Sequence, residues 1–510
     1  MKAIVILLDS VNRHFLGLYG QALAHTPNID RLAGRSVVFD NHWAGSLPCM
    51  PARRDLLTGR LNFLERNWGP IEPFDHSLGE VLRENGVYSH IVTDHYHYFR
   101  TGGENYVQQF DTYAFIRGQE TDPWVSKVNR PARPAAFIGK YHPQYALNRT
   151  AFGKEDDFPS PRTLKEAAEW LEANKDEDQF LLWAEAFDPH EPFDLPKERL
   201  DPILTSYSGP EYMWPEYGVV DVPGSALAHI RDRYSRLLEM ADHWVGKLLD
   251  VLDRHNLWKD TMVIFTSDHG YLLGEHNFMA KNYMPVYNEI ARLPLIVHLP
   301  GGEQAGKRIQ ALTQSVDLYP TLLECFGIDP QLSCRNRLHG QSLLPLADGR
   351  TDKLRDELIF GYFGKNVNIT DGEWVYFRSA AEPDNGPLHV YTAMPTTIGH
   401  AYGPAYIEDL TSVEAGRYLS WTEYPVYRIP GHVIKTKDQT QSFRQTGEHI
   451  KEHRLFHLRE DPCQKHQVHD PAVEKRMMGK LTDCMRRHDA PAEQFVRLGL
   501  RADEQEGDFQ

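Results

Sequence analysis

The chain lacks any excess of positive charge. Its 510 residues include 55 lysines and arginines against 71 aspartates and glutamates, so the formal net charge is −16. A nucleic acid or an anionic membrane surface is normally bound through an extended positive field, so both are excluded as partners. The same negative field opposes long-range attraction of an anionic substrate. Any anionic group must therefore be captured by a few local cations.

Cysteine is scarce, and long apolar runs are absent. The five cysteines are an odd number with no Cys-x-x-Cys pair, which argues against a zinc site and favours a reducing compartment. No apolar run approaches the length of a membrane span, so no membrane association is expected. Met1 and Lys2 precede only six apolar residues, too few for a convincing signal peptide. We therefore expect a cytoplasmic protein, with the reservation that a leader could have been trimmed.

Internal repeats and low-complexity tracts are also absent, and strands alternate with helices along the chain. The strands predicted from apolar runs are 3–8, 88–93, 180–185 and 262–267, and the predicted helices are 76–85, 162–175 and 226–255. This alternation predicts an α/β fold with a large, mostly parallel central sheet flanked by helices.

Two insertions interrupt the alternation, at 99–161 and 205–223. Both are polar stretches with many aromatic residues, glycines and prolines. Insertions at the loop ends of an α/β sheet commonly shape the substrate pocket, and aromatic side chains there would stack on sugar or aryl rings. Plain packing of loops is the alternative.

Two of the apolar strands end in candidate metal ligands. Asp9 follows the first strand directly, and Asp268 and His269 follow the strand at 262–267. The carboxyl ends of parallel strands meet at one edge of a sheet, so these side chains are expected to lie together. Two carboxylates and one imidazole suit a hard divalent cation, whereas zinc would favour more histidine or thiolate. The alternative is that Asp9 only caps a helix or turn, and strand-end Asp-His pairs occur in many α/β proteins.

The segment 47–60 carries the most informative motif of the chain. Cys49 opens a Cys-x-Pro-x-Arg run that ends at Arg53 and continues as Leu-Leu-Thr-Gly-Arg. A helix beginning near Pro51 would place Arg53 one turn beyond Cys49, on the same face. The alternative is a buried cysteine before an ordinary helix. The whole segment resembles the signature of the type I sulfatases, a family within the alkaline phosphatase superfamily.

That resemblance implies a modification of Cys49. In type I sulfatases this cysteine is oxidised after translation to formylglycine, so a formylglycine-generating enzyme would be a maturation partner. The hydrated aldehyde supplies a geminal diol, of which one hydroxyl attacks sulfur and the other later expels the sulfate. The modified Cys49 would join Asp9, Asp268 and His269 around one divalent cation, which we expect to be Ca²⁺, with Mg²⁺ and Mn²⁺ left open.

Two further segments resemble the family and carry candidate catalytic residues. The run 265–270, followed by Leu-Gly-Glu-His and then by Lys281, is similar to the second sulfatase block, in which the lysine contacts the sulfate. His190 lies in a loop that resembles the family's Pro-His-x-Pro-Phe, where a histidine can donate a proton to the departing alkoxide. A solvated surface lysine and an ordinary loop histidine are the alternatives for these two positions.

The chain departs from the family pattern at two positions. Sulfatases usually have a second aspartate after the first, where this chain has Ser10, so one carboxylate is missing from the expected ligand set. After the strand at 88–93 the usual lysine position holds Asp94, so a cationic sulfate contact is missing or is replaced by His95. His97 best matches the family histidine that steadies the diol. The roles of Ser10, Asp94 and His95 stay open.

The resemblance continues toward the C-terminus. The run 455–462 is similar to a C-terminal segment of the family. An alkaline phosphatase-like organisation is thereby implied, with a large α/β domain at 1–354 and a smaller α+β subdomain at 355–510. That subdomain is expected to contain a four-stranded antiparallel sheet and a helix at 473–487.

The function that these motifs imply is hydrolysis of sulfate esters by a metal-dependent sulfatase. Its substrate would be a sulfated small molecule or a glycan, and whether the chain forms a homo-oligomer is left open. A phosphonate monoester or phosphodiester hydrolase with the same site is the enzymatic alternative. An inactive homologue that only binds a sulfated glycan is the third interpretation. Ser10 and Asp94 leave this interpretation open, whereas the presence together of Cys49, Arg53, Asp268, His269 and Lys281 opposes it.

Overall fold

The computed structural model describes residues 1–20, 22–282, 284–435 and 451–500. In chain order its strands are β1 Lys2–Leu8, β2 Val37–Trp43, β3 Ser46–Leu47, β4 Tyr88–Thr93, β5 Thr112–Phe115, β6 Phe180–Ala186, β7 Gly218–Val219, β8 Thr261–Thr266, β9 Leu272–Leu273, β10 Phe278–Ala280, β11 Arg292–His298, β12 Arg308–Ile309, β13 Thr313–Gln314, β14 Leu358–Tyr362, β15 Val367–Thr370, β16 Trp374–Arg378, β17 His389–Thr392, β18 Thr396–Thr397, β19 His400–Ala401, β20 Glu414–Gly416, β21 Val426–Pro430 and β22 Arg454–His457.

The α-helices lie between these strands and after them. In chain order they are α1 Pro27–Ala33, α2 Cys49–Thr58, α3 Leu78–Glu84, α4 Pro143–Asn148, α5 Pro159–Ala173, α6 Lys197–Leu204, α7 Gly224–Arg254, α8 Asn288–Ala291, α9 Leu318–Cys325, α10 Pro330–Ser333, α11 Leu344–Ala347, α12 Pro471–Arg487 and α13 Ala492–Arg497. None of the helices in these described ranges combines the length and the apolar character that crossing a bilayer requires.

A nine-stranded sheet forms the centre of the larger part of the molecule. Its order is β12-β2-β11-β8-β1-β6-β4-β5, and β13 also pairs with β2. Strand β1 runs parallel to both of its neighbours, β6 and β8, and all seven of its residues are buried, as expected for an uninterrupted apolar run. Strand β11 is antiparallel to both β2 and β8. The predicted α/β fold with a mostly parallel central sheet is confirmed.

Helices cover both faces of this sheet. Successive side chains of a strand point to opposite faces, and β1 follows that rule. Ile4 and Ile6 pack in one core with side chains of α5 and α7, whereas Val5 and Leu7 pack in a second core with α2, α3 and α9. Because both faces are apolar and covered, the polar side chains of the central strands are concentrated where those strands end.

The predicted C-terminal sheet is larger than expected. Strands β22, β16, β15 and β14 form the predicted antiparallel set, and α12 packs against it. A fifth strand, β3, pairs in parallel with β14 through Ser46 and Leu47. The expectation of four strands was therefore wrong. The fifth strand comes from a segment just before Cys49, which belongs to the domain predicted at 1–354 but pairs with the sheet of the predicted C-terminal subdomain. Residues 436–450 and 501–510 of the predicted subdomain lie outside the described residues.

Candidate active site

The ends of β1 and β8 bring three of the predicted metal ligands together. Asp9 follows β1 and Asp268 follows β8, and these two strands are adjacent and parallel. The backbone N–H of Ser10 donates a hydrogen bond to Asp268 Oδ1 at 3.1 Å, which ties the two strand ends to each other. Asp9, Asp268 and His269 are all buried. The strand order therefore produces the convergence that the sequence predicts.

Cys49 reaches the same point from the first turn of α2. The helix begins at Cys49 itself, earlier than the predicted start near Pro51. The thiol Sγ lies 3.1 Å from His269 Nε2, and one ligand atom each from Asp9, Cys49, Asp268 and His269 lies within 4.8 Å of the others. All four residues are buried. The structure thus brings together the complete set of predicted metal ligands, and these four residues are called the cluster below.

His269 is held as a neutral imidazole. Its Nδ1 lies 2.9 Å from the carbonyl oxygen of Gly270, an acceptor, so the ring proton belongs on Nδ1 and Nε2 keeps a lone pair toward the cluster. Burial lowers the pKa of His269 to about 4, against the opposing effect of Asp268. Gly270 is required here because a Cβ atom would lie 1.8 Å from the carbonyl oxygen of Glu289.

Arg53 binds three carboxylates at once. Its guanidinium lies 2.8 Å from Asp9, 2.5 Å from Asp268 and 2.8 Å from Glu185. Glu185 was not predicted as a site residue, although an acidic residue at the end of an otherwise apolar predicted strand was a detectable signal. Three buried carboxylates therefore stand against two buried cationic side chains, Arg53 and Lys281. The excess of negative charge and the oxygen donors fit a divalent cation.

Lys281 and Ser10 complete the inner part of the site. The Lys281 ammonium donates to Ser10 Oγ at 2.8 Å and lies 3.4 Å from Cys49 Sγ. The Ser10 hydroxyl in turn donates to Asp9 Oδ1 at 2.6 Å. Burial alone would raise the pKa of Asp9, but Arg53 and Lys281 lower it to about 2. Ser10 therefore links the lysine to the aspartate, a role that the sequence left open.

Asp94 is directed away from the cluster. Its carboxylate accepts a hydrogen bond from Ser160 Oγ at 3.0 Å and another from the Phe187 backbone N–H at 2.8 Å. Burial raises its pKa to about 7, and these hydrogen bonds lower it only in part. Phe187 belongs to the loop that carries His190. Asp94 thus braces the loop that carries His190, and its carboxylate does not supply the positive charge of the lysine expected at this position.

Replacing Asp94 by alanine is expected to lower the free energy of unfolding by about 1–3 kcal/mol, because two buried donors lose their acceptor. Asp94→Asn keeps one acceptor oxygen and should cost less. Urea unfolding of both variants measures the difference. Unchanged stability of Asp94→Ala together with weaker sulfate binding would instead place this carboxylate in the substrate site.

The two histidines after β4 differ in their distance from the cluster. His95 Nε2 lies 3.8 Å from Asp9 Oδ2, and neither of its ring nitrogens has a hydrogen-bond partner among the described residues. His97 packs edge-on against Trp68, and its Nδ1 lies 3.7 Å from Glu120 Oε2. The position next to the predicted ligands thus belongs to His95. That His97 steadies residue 49 stays a prediction.

His190 is buried in the loop that follows β6. Its Nδ1 lies 2.6 Å from the carbonyl oxygen of Glu191 and 3.2 Å from Glu191 Oε2. Burial lowers the pKa of His190 well below its ordinary value, and the Lys281 ammonium lowers it further. The loop after β6 thus brings His190 within electrostatic reach of Lys281. Glu191 was not predicted as a site residue, and its position inside the Pro-His-x-Pro-Phe motif was the only available signal.

Comparison with known proteins decides the family. The family model described as Sulfatase matches residues 2–328, more than half of the chain, and this range includes every predicted site residue. The chain belongs to the sulfatase family. The predicted enzyme class of this sulfatase, a sulfuric ester hydrolase, is confirmed with it.

Individual relatives of this sulfatase agree with the family. Choline-sulfatase from Rhizobium meliloti is 26% identical over 421 residues, which cover 75% of this chain and 78% of the relative. N-acetylglucosamine-6-O-sulfatase from Bacteroides thetaiotaomicron is 24% identical over 408 residues, which cover 68% and 70%. The solved structure of phosphonate monoester hydrolase from Agrobacterium radiobacter superposes with a TM-score of 0.65 at 18% identity and covers 96% of both chains. At that identity the structural likeness establishes the fold alone.

Proposed function

We propose that this sulfatase hydrolyses sulfate esters of sugars, aryl groups or small alcohols through a formylglycine made from Cys49. The position of Cys49 carries the proposal, because its Sγ lies 3.1 Å from His269 and 3.4 Å from Lys281. Burial raises the pKa of this thiol well above its ordinary value, although Lys281 opposes the rise. An unmodified thiolate nucleophile is thus disfavoured, which supports conversion of Cys49 by a formylglycine-generating enzyme.

One divalent cation, Ca²⁺ in our proposal, would be held by Asp9, Asp268, His269 and residue 49. Oxygen donors dominate that set once the sulfur is replaced, and a single imidazole is too few for a typical zinc site. When bound, such a cation polarises the sulfate oxygens and lowers the pKa of a coordinated hydroxyl. The choice of calcium over magnesium or manganese rests only on this donor chemistry.

Arg53, Lys281 and His190 have separate tasks in this proposal. Arg53 fixes the carboxylates of Asp9 and Asp268 beside residue 49. Burial lowers the pKa of Lys281, but Cys49 and nearby carboxylates raise it above its ordinary value, so the ammonium is available to bind a sulfate oxygen. His190 protonates the departing alkoxide. The site thus captures an anion locally although the chain as a whole is acidic.

Removing divalent cations with a chelator is expected to lower the melting temperature. An ion that binds only the folded chain stabilises it by about 2.7 kcal/mol at 100 times its Kd. Calcium titration followed by calorimetry, together with metal analysis, measures this effect, and Asp268→Asn should reduce the calcium-dependent increment.

A second group of potential ligands supplies the control for that experiment. This group consists of His76, which precedes α3, and of Glu80 and Glu84 on α3. The carboxylates of the two glutamates already accept hydrogen bonds from Arg335. Glu84→Gln should therefore leave the calcium-dependent increment unchanged. Active enzyme without any bound divalent ion would contradict the proposed site.

The substrate class is open to a direct assay. The names of the two relatives described above extend from a small alcohol to an amino sugar, so both kinds of sulfate belong in the panel. Phosphonate monoesters and phosphodiesters test the enzymatic alternative. Peptide mass spectrometry at Cys49 accompanies the assay. If the protein is an active sulfatase, Cys49 should be modified and sulfates should be turned over faster than phosphonates. If it is a glycan-binding homologue, it should bind sulfated glycans without turning them over.

We also propose a cytoplasmic location. All five cysteines are free thiols, and free thiols are typical of a reducing compartment. Fractionation of the source cells tests this proposal, and recovery of the chain outside the cytoplasm would refute it.

A further inference from the structure

The carboxylate of Glu191 lies between His190 and Tyr217. Its side chain is only 1% exposed. Oε1 accepts a hydrogen bond from the Tyr217 hydroxyl, and Oε2 lies 3.2 Å from His190 Nδ1. No hydrogen bond from the described residues reaches Oε2, so this buried oxygen is available to the imidazole. The Pro-His-x-Pro-Phe motif gives a role to His190 but none to the residue that follows it.

This arrangement fixes which nitrogen of His190 faces the reaction. Nδ1 is close to two acceptors, the carbonyl oxygen of Glu191 at 2.6 Å and the Glu191 carboxylate at 3.2 Å. Both acceptors require a proton on Nδ1, because neither can donate one to it. Nε2 is then the only ring nitrogen left to exchange a proton with substrate.

The charge of Glu191 offsets part of the lowering that burial causes in the pKa of His190. Burial lowers the pKa of His190 well below its ordinary value, and Glu191 is the largest effect in the opposite direction. Burial raises the pKa of Glu191, but His190, Lys281 and Lys140 lower it below its ordinary value overall, so this group stays a carboxylate. A protonated imidazole in this loop thus depends on the neighbouring anion.

Tyr217 connects this pair to one of the two insertions. It belongs to the segment 205–223, and the Lys140 ammonium from the other insertion lies 3.2 Å from the centre of its ring. Tyr217 donates its hydroxyl proton to Glu191 and so limits the rotation of the carboxylate. The insertions thus do more than pack as loops. Tyr217 of one insertion contacts Glu191, the neighbour of His190, and Lys140 of the other insertion contacts Tyr217.

We propose that Glu191, held by Tyr217, is a positioning residue that orients His190 and stabilises its protonated form for the departure of the alcohol. The inference rests on the proposed role of His190. In the step, the oxygen of an ionised diol hydroxyl at residue 49 forms a bond to sulfur while the bond between sulfur and the bridging oxygen breaks, and the electron pair of the broken bond goes to the bridging oxygen. The Nε2–H bond of His190 breaks and its proton moves to the same oxygen. His190 is left neutral with its proton on Nδ1, and Glu191 remains a carboxylate.

The test compares leaving groups in Glu191→Gln. Glutamine keeps the size of the side chain but removes the charge, and partners that orient a functional histidine are worth roughly 10–100-fold in activity. We expect kcat on a sugar or alkyl sulfate to fall by about that factor with little change in KM. Nitrophenyl sulfate, whose leaving group needs no proton, should lose less than about threefold, because the acid step contributes little to it. Glu191→Asp should recover part of the loss on the sugar sulfate.

Three further variants separate positioning from simple structural support. Glu216→Gln makes the same change on an exposed residue of the Tyr217 segment and should leave both activities unchanged. Tyr217→Phe removes the hydroxyl that donates to Glu191 and should give a smaller loss with the same preference, which also tests the inference if Glu191→Gln fails to fold. In a His190→Ala background, Glu191→Gln should add almost no further loss.

Two results would overturn the inference, and they are distinguishable. If His190→Ala discriminates between the leaving groups and Glu191→Gln lowers both activities equally, Glu191 serves the fold and only the inference fails. If His190→Ala itself shows no discrimination, the proposed acid role of His190 fails and the inference fails with it.

Discussion

Cys49→Ser is expected to abolish turnover of sulfate esters, with a loss on the order of 10⁶-fold, as in other hydrolases that lose their nucleophile. Serine keeps the size and the position of the residue at the start of α2, so the neighbouring contacts should survive. A serine hydroxyl that attacked sulfur would become a sulfate ester with no second hydroxyl to expel it. Cys49→Ala removes even that single event.

The measurement pairs activity with chemistry at one peptide. Steady-state rates on an aryl sulfate and a sugar sulfate are compared with mass spectrometry of the peptide that contains Cys49. Cys463→Ser is a suitable control, because Cys463 is half-buried and is not part of the candidate site. Full activity in a preparation whose Cys49 peptide is wholly unmodified would contradict the formylglycine proposal.

The predicted ligand cluster formed because its members stand at the ends of strands. Asp9 and Asp268 are far apart in sequence, but β1 and β8 are parallel neighbours, so their carboxyl ends coincide. Apolar runs identify such strands reliably, and the residue after each run is then placed within a few ångströms. The motif at Cys49 was recognised from its sequence alone. In the structure, α2 begins at Cys49.

Contacts between side chains of distant segments could not be predicted in the same way. Glu185 meets Arg53 only because β6 lies beside β1 in the sheet order, which no local pattern specifies. The pairing of β3 with β14 depends on a two-residue strand that carries almost no sequence signal. Tyr217 reaches Glu191 from an insertion whose path follows from tertiary packing. Geometry of this kind requires coordinates.

The two departures from the family pattern have physical explanations of different kinds. Ser10 replaces a carboxylate but still connects Lys281 to Asp9 through its hydroxyl. Asp94 does not replace the lysine at all, because its carboxylate is bound to Ser160 and Phe187. The positive charge near Cys49 therefore comes from Arg53 and Lys281. The next experiment therefore distinguishes the proposed sulfate contact, Lys281, from the proposed leaving-group contact, His190.

His190→Ala is expected to damage turnover of sugar sulfates far more than turnover of activated aryl sulfates. A sugar alkoxide leaves poorly without a proton, whereas a nitrophenolate leaves well unaided. Loss of a general acid is worth roughly 10²–10⁴-fold on the poor leaving group. His190 is buried and its Nδ1 lies 2.6 Å from the carbonyl oxygen of Glu191, which leaves Nε2 for this role. The measurement is kcat/KM for the variant on one sugar sulfate and one nitrophenyl sulfate.

Lys281→Ala is the matched control for that prediction. Lys281 lies 3.4 Å from Cys49 Sγ, where we propose that the sulfate group binds, and this group is common to both substrates. Its loss should therefore slow both reactions by a similar factor. The ratio of the two kcat/KM values should change in His190→Ala and stay constant in Lys281→Ala. Equal losses on the two substrates for His190→Ala would mean that the histidine contacts the sulfate, because only a contact with the bridging oxygen depends on the leaving group.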